Sequence, residues 1–193
     1  MIVRYLNLLA LIATVAWVTA TQTWESMAAM LLLFAGIVAL DVQMVRANRR
    51  ASGTAATISA DMSLYTAFIT VLPSSGSISF IDTCNMAGYS FDWKRLRDLE
   101  VFYHEWNDAE HEFHNRELES LRKQLHELVV SYLDYLGMNS FPTEAGFQTI
   151  PPEWEETQPD RFWQTVKTVH DYAGQIVARH QEFIRRARSI LKL

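Results

Sequence analysis

Charge is spread so unevenly along this chain that the sequence predicts two environments for one molecule. Residues 1–45 carry only Arg4, Glu25 and Asp41 as charged side chains. The other 148 positions of the 193-residue chain hold all the remaining lysines, arginines and acids. Two apolar runs, about 2–20 and 27–45, each approach the ~20 residues a helix needs to cross a hydrocarbon layer. Only Thr21 to Ser26 separates them, so they are expected to form an antiparallel transmembrane hairpin, with Trp17 and Trp24 at the headgroup level of its turn. Arg4 flanks one end, Arg46, Arg49 and Arg50 follow the other, and the turn carries only Glu25. Positive flanks stay inside, which predicts a multi-pass protein of the cell inner membrane with both termini cytoplasmic. The competing reading of the first run is a signal peptide cut after Val18-Thr19-Ala20. Neither span has the polar row a channel would require, and Asp41 and Gln43 sit near enough to Arg46 to reach interfacial water or pair there.

The expected fold class is therefore all-α. A two-span transmembrane helical hairpin (1–45) leads through a basic juxtamembrane linker (46–60) to a cytoplasmic antiparallel helical domain (61–193). Arg46, Arg49 and Arg50 beside a bilayer are expected to attract anionic headgroups. Asp61 is placed as the cap of a short helix over 62–72, with Leu64, Tyr65, Phe68, Ile69 and Leu72 on its apolar face. Pro73 ends that helix and Ser74 to Ser77 turn the chain. Residues 78–81 fit either an extended segment or another short helix.

From 92 to 136 there is no proline or glycine, and apolar residues recur at three and four from Leu96 to Leu136. This reads as one long amphipathic helix, or two nearly continuous ones broken around His111 to Asn115, stopped by Gly137. A second long helix is expected at about 159–191, with Thr157 as its N-cap and Pro159 in its first turn. Its apolar positions run Phe162, Val166, Val169, Ala173, Ile176, His180, Phe183, Ala187 and Ile190. Two such stripes bury each other most simply as an antiparallel helical bundle. The irregular connection 138–158 is too apolar for a free linker, so Phe141, Phe147, Ile150 and Trp154 are expected to lie back over the helices, a partner-binding loop being the other reading.

Chemistry is harder to find. The single cysteine, Cys84, excludes an internal disulfide and a cysteine-clustered metal site, and lacks a base in its own segment. His104, Asp108 and His111 share a helical face, with His114 three further on. These four are the suspects for a catalytic site, and the first three for a metal. They do not match the His-Glu-x-x-His zinc signature, and a charged, solvated and salt-bridged helix face is the preferred explanation. No glycine-rich phosphate loop and no local triad is present, and no cofactor is called for. The net charge of -5 argues against a general nucleic-acid surface, although Arg179, Arg185, Arg186, Arg188 and Lys192 gather at the end of the last helix. There they suit the helix dipole and offer Arg185, Arg186 and Arg188 for contact with lipid or another anion. The leading expectation is a membrane-anchored interaction or scaffold protein that binds the lipid bilayer and a protein partner or its own copies. An enzyme with a His/Asp site on the long helix, and a small membrane-perturbing effector, are the alternatives.

Overall fold

A computed structural model of the chain describes residue 12, residues 24–87 and residues 89–193; in the first long helix, side chains are described at 35–47 and from 53 onward. The chain divides into two units, Met1–Ala56 and Thr57–Leu193. Helix α1 spans Trp24–Val71. The first expected membrane span, 2–20, lies outside the described residues apart from Ile12. The second, 27–45, is only the beginning of α1, which runs on without a stop through Arg46, Arg49, Arg50 and the small residues of 51–60.

No described helix is long and apolar enough to cross a membrane. The transmembrane hairpin, the multi-pass inner-membrane placement and the orientation derived from it are corrected accordingly. The described side chains of this segment, 35–47, fall short of the ~20 apolar residues a span needs, and they include Asp41. Asp41 and the three arginines fall inside one helix, with no cap or turn to divide an apolar segment from a charged one. Within it, Val38, Leu40, Val42, Met44 and Val45 are exposed.

Asp61 does not begin a helix either. It lies inside α1, buried, and its carboxylate accepts the backbone N–H groups of His114 (2.8 Å) and Asn115 (2.9 Å). The end of α1 is followed by α2 (Ser77–Thr83), a 3-10 turn at Trp93–Leu96, α3 (Arg97–Glu105), a second 3-10 turn at Ala109–His111, and α4 (Arg116–Asn139). A small antiparallel pair, β1 (Phe141–Pro142) with β2 (Gln148–Thr149), then leads through α5 (Glu153–Thr157) into α6 (Pro159–Leu191).

The long helix expected over 92–136 is interrupted because short polar side chains compete for backbone groups. The Asp108 carboxylate accepts the amides of Glu110 and His111, and Asn115 caps α4 by accepting those of Glu117 and Leu118. Gly137 does not stop α4, which continues to Asn139 with Gly137 exposed. The cap of α6 is Gln158 rather than Thr157, which is the last residue of α5.

The core is aromatic at its centre. Phe68 of α1 meets Phe102 and Trp106 edge-on at 5.7 and 5.5 Å, and Phe183 of α6 at 4.3 Å. Leu118, Leu125, Val129, Tyr132 and Leu136 of α4 are buried, as are Val169, Ala173, Ile176 and Phe183 along α6, the helix against which α4 packs. Burying such side chains stabilises by about 1.5–3 kcal/mol each before entropy is counted.

Ser77 and Asp98 join α2 to α3 reciprocally. The Asp98 carboxylate accepts the Ser77 amide at 2.9 Å, and the Ser77 hydroxyl accepts the Asp98 amide at 3.1 Å. Gly76 leaves room for that pair, since a Cβ there would stand 1.9 Å from Asp98 Oδ2. Gly76→Ala is expected to cost about 1–3 kcal/mol by overpacking. In an Asp98→Ala background the same change is expected to cost under ~1 kcal/mol, because the two sites are coupled. Urea unfolding of the four proteins in this cycle checks both values, and equal costs in the two backgrounds would exclude the clash as the cause.

Candidate functional site

Of the suspects singled out from sequence, His104 stands on α3, while Asp108, His111 and His114 lie in the break between α3 and α4. His111 Nδ1 lies 2.7 Å from Asp108 Oδ1, and its ring packs on Trp106 at 4.5 Å. The same carboxylate holds the two amides of the 3-10 turn. The hydrogen bond from His111 is the largest influence holding the Asp108 carboxyl below its ordinary range. This is an Asp–His pair, but one whose carboxylate is engaged as a turn cap, and among the described residues no serine, threonine or cysteine is hydrogen-bonded to His111.

His104 is exposed on α3 with its ring edge-on to Tyr103, beside a groove of about 470 Å³ that Trp93, Arg97, Glu100 and Glu105 also line. Glu100 is turned inward there to accept the Trp93 indole N–H at 2.6 Å. The His114 side chain is exposed, and its backbone N–H belongs to Asp61. Among the described residues no group of three or more His, Cys, Asp or Glu side chains is arranged to hold a metal ion.

A second pocket, about 290 Å³, is lined by Asp82, Cys84, Asn85, His170 and Gly174. It brings a thiol and an imidazole to one place, which periodicity could not reveal. Their chemistry is already engaged. The Cys84 thiol is directed at Met86 Sδ (3.9 Å), and the Met86 N–H donates to His170 Nε2 (3.1 Å). Burial pushes the Cys84 thiol up, and Arg95 only partly offsets this, so the thiolate that nucleophilic attack needs is disfavoured.

Sequence reasoning passed over Arg122, Glu119 and His126, and placed His180 only as a position on the apolar stripe of its helix. Arg122 donates to both carboxylate oxygens of Glu119 and to the carbonyl of Trp106. Burial by itself raises the Glu119 carboxyl, but the Arg122 hydrogen bonds, the Phe113 amide and Lys123 outweigh it and hold that carboxyl below its ordinary range. His126 Nε2 donates to the Tyr103 carbonyl at 2.9 Å, and His180 Nε2 to that of Leu72 at 2.9 Å. A carbonyl can only accept, so in both rings Nε2 carries the proton. These contacts hold helix ends together.

The basic residues split into two groups. Arg179 pairs with Glu182 and Arg186 with Glu117, whereas Arg185, Arg188 and Lys192 are exposed and enter no ion pair among the described residues. Arg46 is exposed as well; the side chains of Arg49 and Arg50 lie outside the description.

The connection 138–158 divides differently from expectation. Ile150 and Trp154 are buried, while Met138, Phe141 and Phe147 stay exposed. The hairpin is nonetheless fixed: Phe91 and Gln148 exchange two 2.8 Å backbone hydrogen bonds beside it, Phe141 meets the Trp154 ring at 5.9 Å, and Arg161 covers that ring at 3.6 Å. Residues 141–160 contain five acids and no base. None of those acids enters an ion pair among the described residues. A scan against protein-family models, a search of curated proteins and a search of solved structures each return no match.

The buried His180 gives a pH signature. Desolvation lowers its pKa despite the Leu72 hydrogen bond, and Nδ1 has no partner among the described residues. The folded form resists a proton that the unfolded chain accepts near the ordinary value of ~6.5. His180-linked stability is therefore complete above that pH and is lost as pH falls through it toward the lower folded value. Urea titrations between pH 7.5 and 5, conditions bracketing ~6.5, are expected to show this loss, with a slope not exceeding ~1.4 kcal/mol per pH unit from one proton. His180→Gln is expected to flatten that segment of the profile; an unchanged slope would assign the loss to other groups.

Proposed function

We propose that this protein is a helical protein-interaction module, and that its docking surface is the flank formed by the β1–β2 hairpin and the start of α6. The observation supporting this reading is a set of large apolar side chains held rigidly in the open. Met138 is 69 % exposed, Trp163 52 %, Phe141 46 % and Phe147 43 %, although the segment between Met138 and Trp163 is anchored by buried Ile150 and Trp154. A free linker would carry polar residues at these positions, and a segment folded only to close the core would turn them inward. Apolar anchors rimmed by charge are the usual make-up of a protein-binding patch. The rim here is acidic, with Glu144, Glu153, Glu155, Glu156 and Asp160 exposed, which favours a partner offering basic side chains around apolar ones.

The Asp108–His111 pair and the Cys84–His170 pocket lend an enzymatic reading less support, because each has its groups committed to backbone or to one another. A photocrosslinker placed at position 147 of the full chain is expected to yield, in cells, a product of defined mass. Phe141→Ser should reduce its yield roughly tenfold, the effect of losing a central aromatic anchor, while the protein stays folded and loses only the ~0.5–1.5 kcal/mol of the Trp154 ring contact. Crosslinks from exposed Met138 or position 147 no more abundant than from exposed Glu127 on α4 would sink this reading.

A further inference from the structure

We infer that the partner of the α6 side of this surface is a second copy of the chain, bound through the outer face of α6 in an antiparallel, two-fold pair. The inference rests on the interaction-module reading and names its partner. The outer face is a single stripe: Asp160, Trp163, Lys167, Gly174, Ala178, Gln181, Arg185 and Arg188 are all exposed. At about 100° per residue, every one of them lies within about 40° of Gly174 around the helix. The two outermost pairs of the stripe are complementary about that glycine. Fourteen residues before it stands Asp160, and fourteen after it Arg188; eleven before stands Trp163, and eleven after Arg185.

Two such helices crossing antiparallel at Gly174 set Asp160 of each copy against Arg188 of the other. They also set the face of Trp163 against the guanidinium of Arg185, a pairing favourable to both groups. Each contact occurs twice by symmetry, as an isologous interface demands. Neither Asp160, Arg185 nor Arg188 is neutralised by an ion pair among the described residues. At the crossing point, on the rim of the Cys84–His170 pocket, nothing lies within 4 Å of where a Gly174 Cβ would be, and Ala178 is the next residue along the stripe. From Asp160 to Arg188 the contact would extend about 42 Å.

The test is sedimentation equilibrium of the full chain from low micromolar to several hundred micromolar, at low and high salt. A monomer–dimer equilibrium weakened by salt is expected. Asp160→Lys and Arg188→Glu should each weaken it about tenfold or more, by turning two attractive contacts into repulsive ones. Mixing these two variants should restore a heterodimer of wild-type strength, since every contact across it is again attractive. Gly174→Lys should abolish dimerisation while leaving the monomer folded, as judged by its unfolding midpoint. A chain that stays monomeric throughout overturns the inference. So does a dimer that keeps its full strength in Asp160→Lys, Arg188→Glu and Gly174→Lys. Neither result touches the hairpin surface, whose own test is the crosslink at position 147.

Discussion

Helices that end inside a protein leave backbone groups with no water to satisfy them, and the unit from Thr57 to Leu193 depends on how those groups are met. The carbonyls of Leu72, Tyr103 and Trp106, at or just beyond the ends of α1 and α3, are reached by His180, His126 and Arg122 from helices distant in sequence. The amides of His114 and Asn115, at the entrance to α4, are held by Asp61 from α1. The Phe113 amide is held by Glu119, which Arg122 holds in turn. Each contact replaces water with a buried partner, and removing one partner would leave the other orphaned at a cost of about 1–3 kcal/mol, more where it is charged. The aromatic hub around Phe68 is enclosed by the chain turns that these polar contacts satisfy.

That constraint changes the meaning of the titratable residues. Histidine, aspartate, glutamate and arginine invite a search for catalysis, and His104, Asp108, His111 and His114 lie where an unbroken helix would align them. The break between α3 and α4 removes the alignment, and Asp108 itself helps to make the break by capping the turn. The deeply buried members of the same residue classes, Asp61, Arg122, His126 and His180, stand on α1, α4 and α6 among apolar side chains. They serve the backbone. Among the described residues, the surface keeps uncommitted groups of its own: exposed aromatics beside the hairpin, and unpaired charges at the two ends of α6.

Local periodicity made the amphipathic helices legible, because steps of three and four state which face is buried without reference to the rest of the chain. Phe162, Val166, Val169, Ala173, Ile176, His180, Phe183 and Ala187 are all buried in α6. Signals that depend on a second element were not legible in the same way. Asp61 before an apolar run looks like a cap until a loop fifty residues on supplies the amides it binds. Gly137 looks like a stop, yet α4 passes through it. Residues 27–45 look like a complete apolar segment in isolation; the helix in which they lie continues into arginines that a segment-by-segment reading assigns to a linker. The site was less legible than the fold, since Cys84 and His170 are 86 residues apart and the exposure of Phe141 and Phe147 depends on how the hairpin seats.

The charge pattern of α6 could be explained by the helix alone, since acids near an N-terminus and bases near a C-terminus both favour the dipole. That effect fades within the first and last turns, so it accounts for Asp160 and Arg188 but not for what lies between them. It gives no reason for an exposed Trp163 one turn inside, for a glycine midway along a helix where alanine would be more stable by about 1 kcal/mol, or for Arg185 at the mirror position of the tryptophan. Solubility does not explain Trp163 or Gly174 either, because a solvated face favours long polar side chains over Trp and Gly. Antiparallel pairing accounts for all of them with one crossing point. It also opposes the two helix dipoles, so the arrangement that stabilises each helix separately is the one that lets two of them meet.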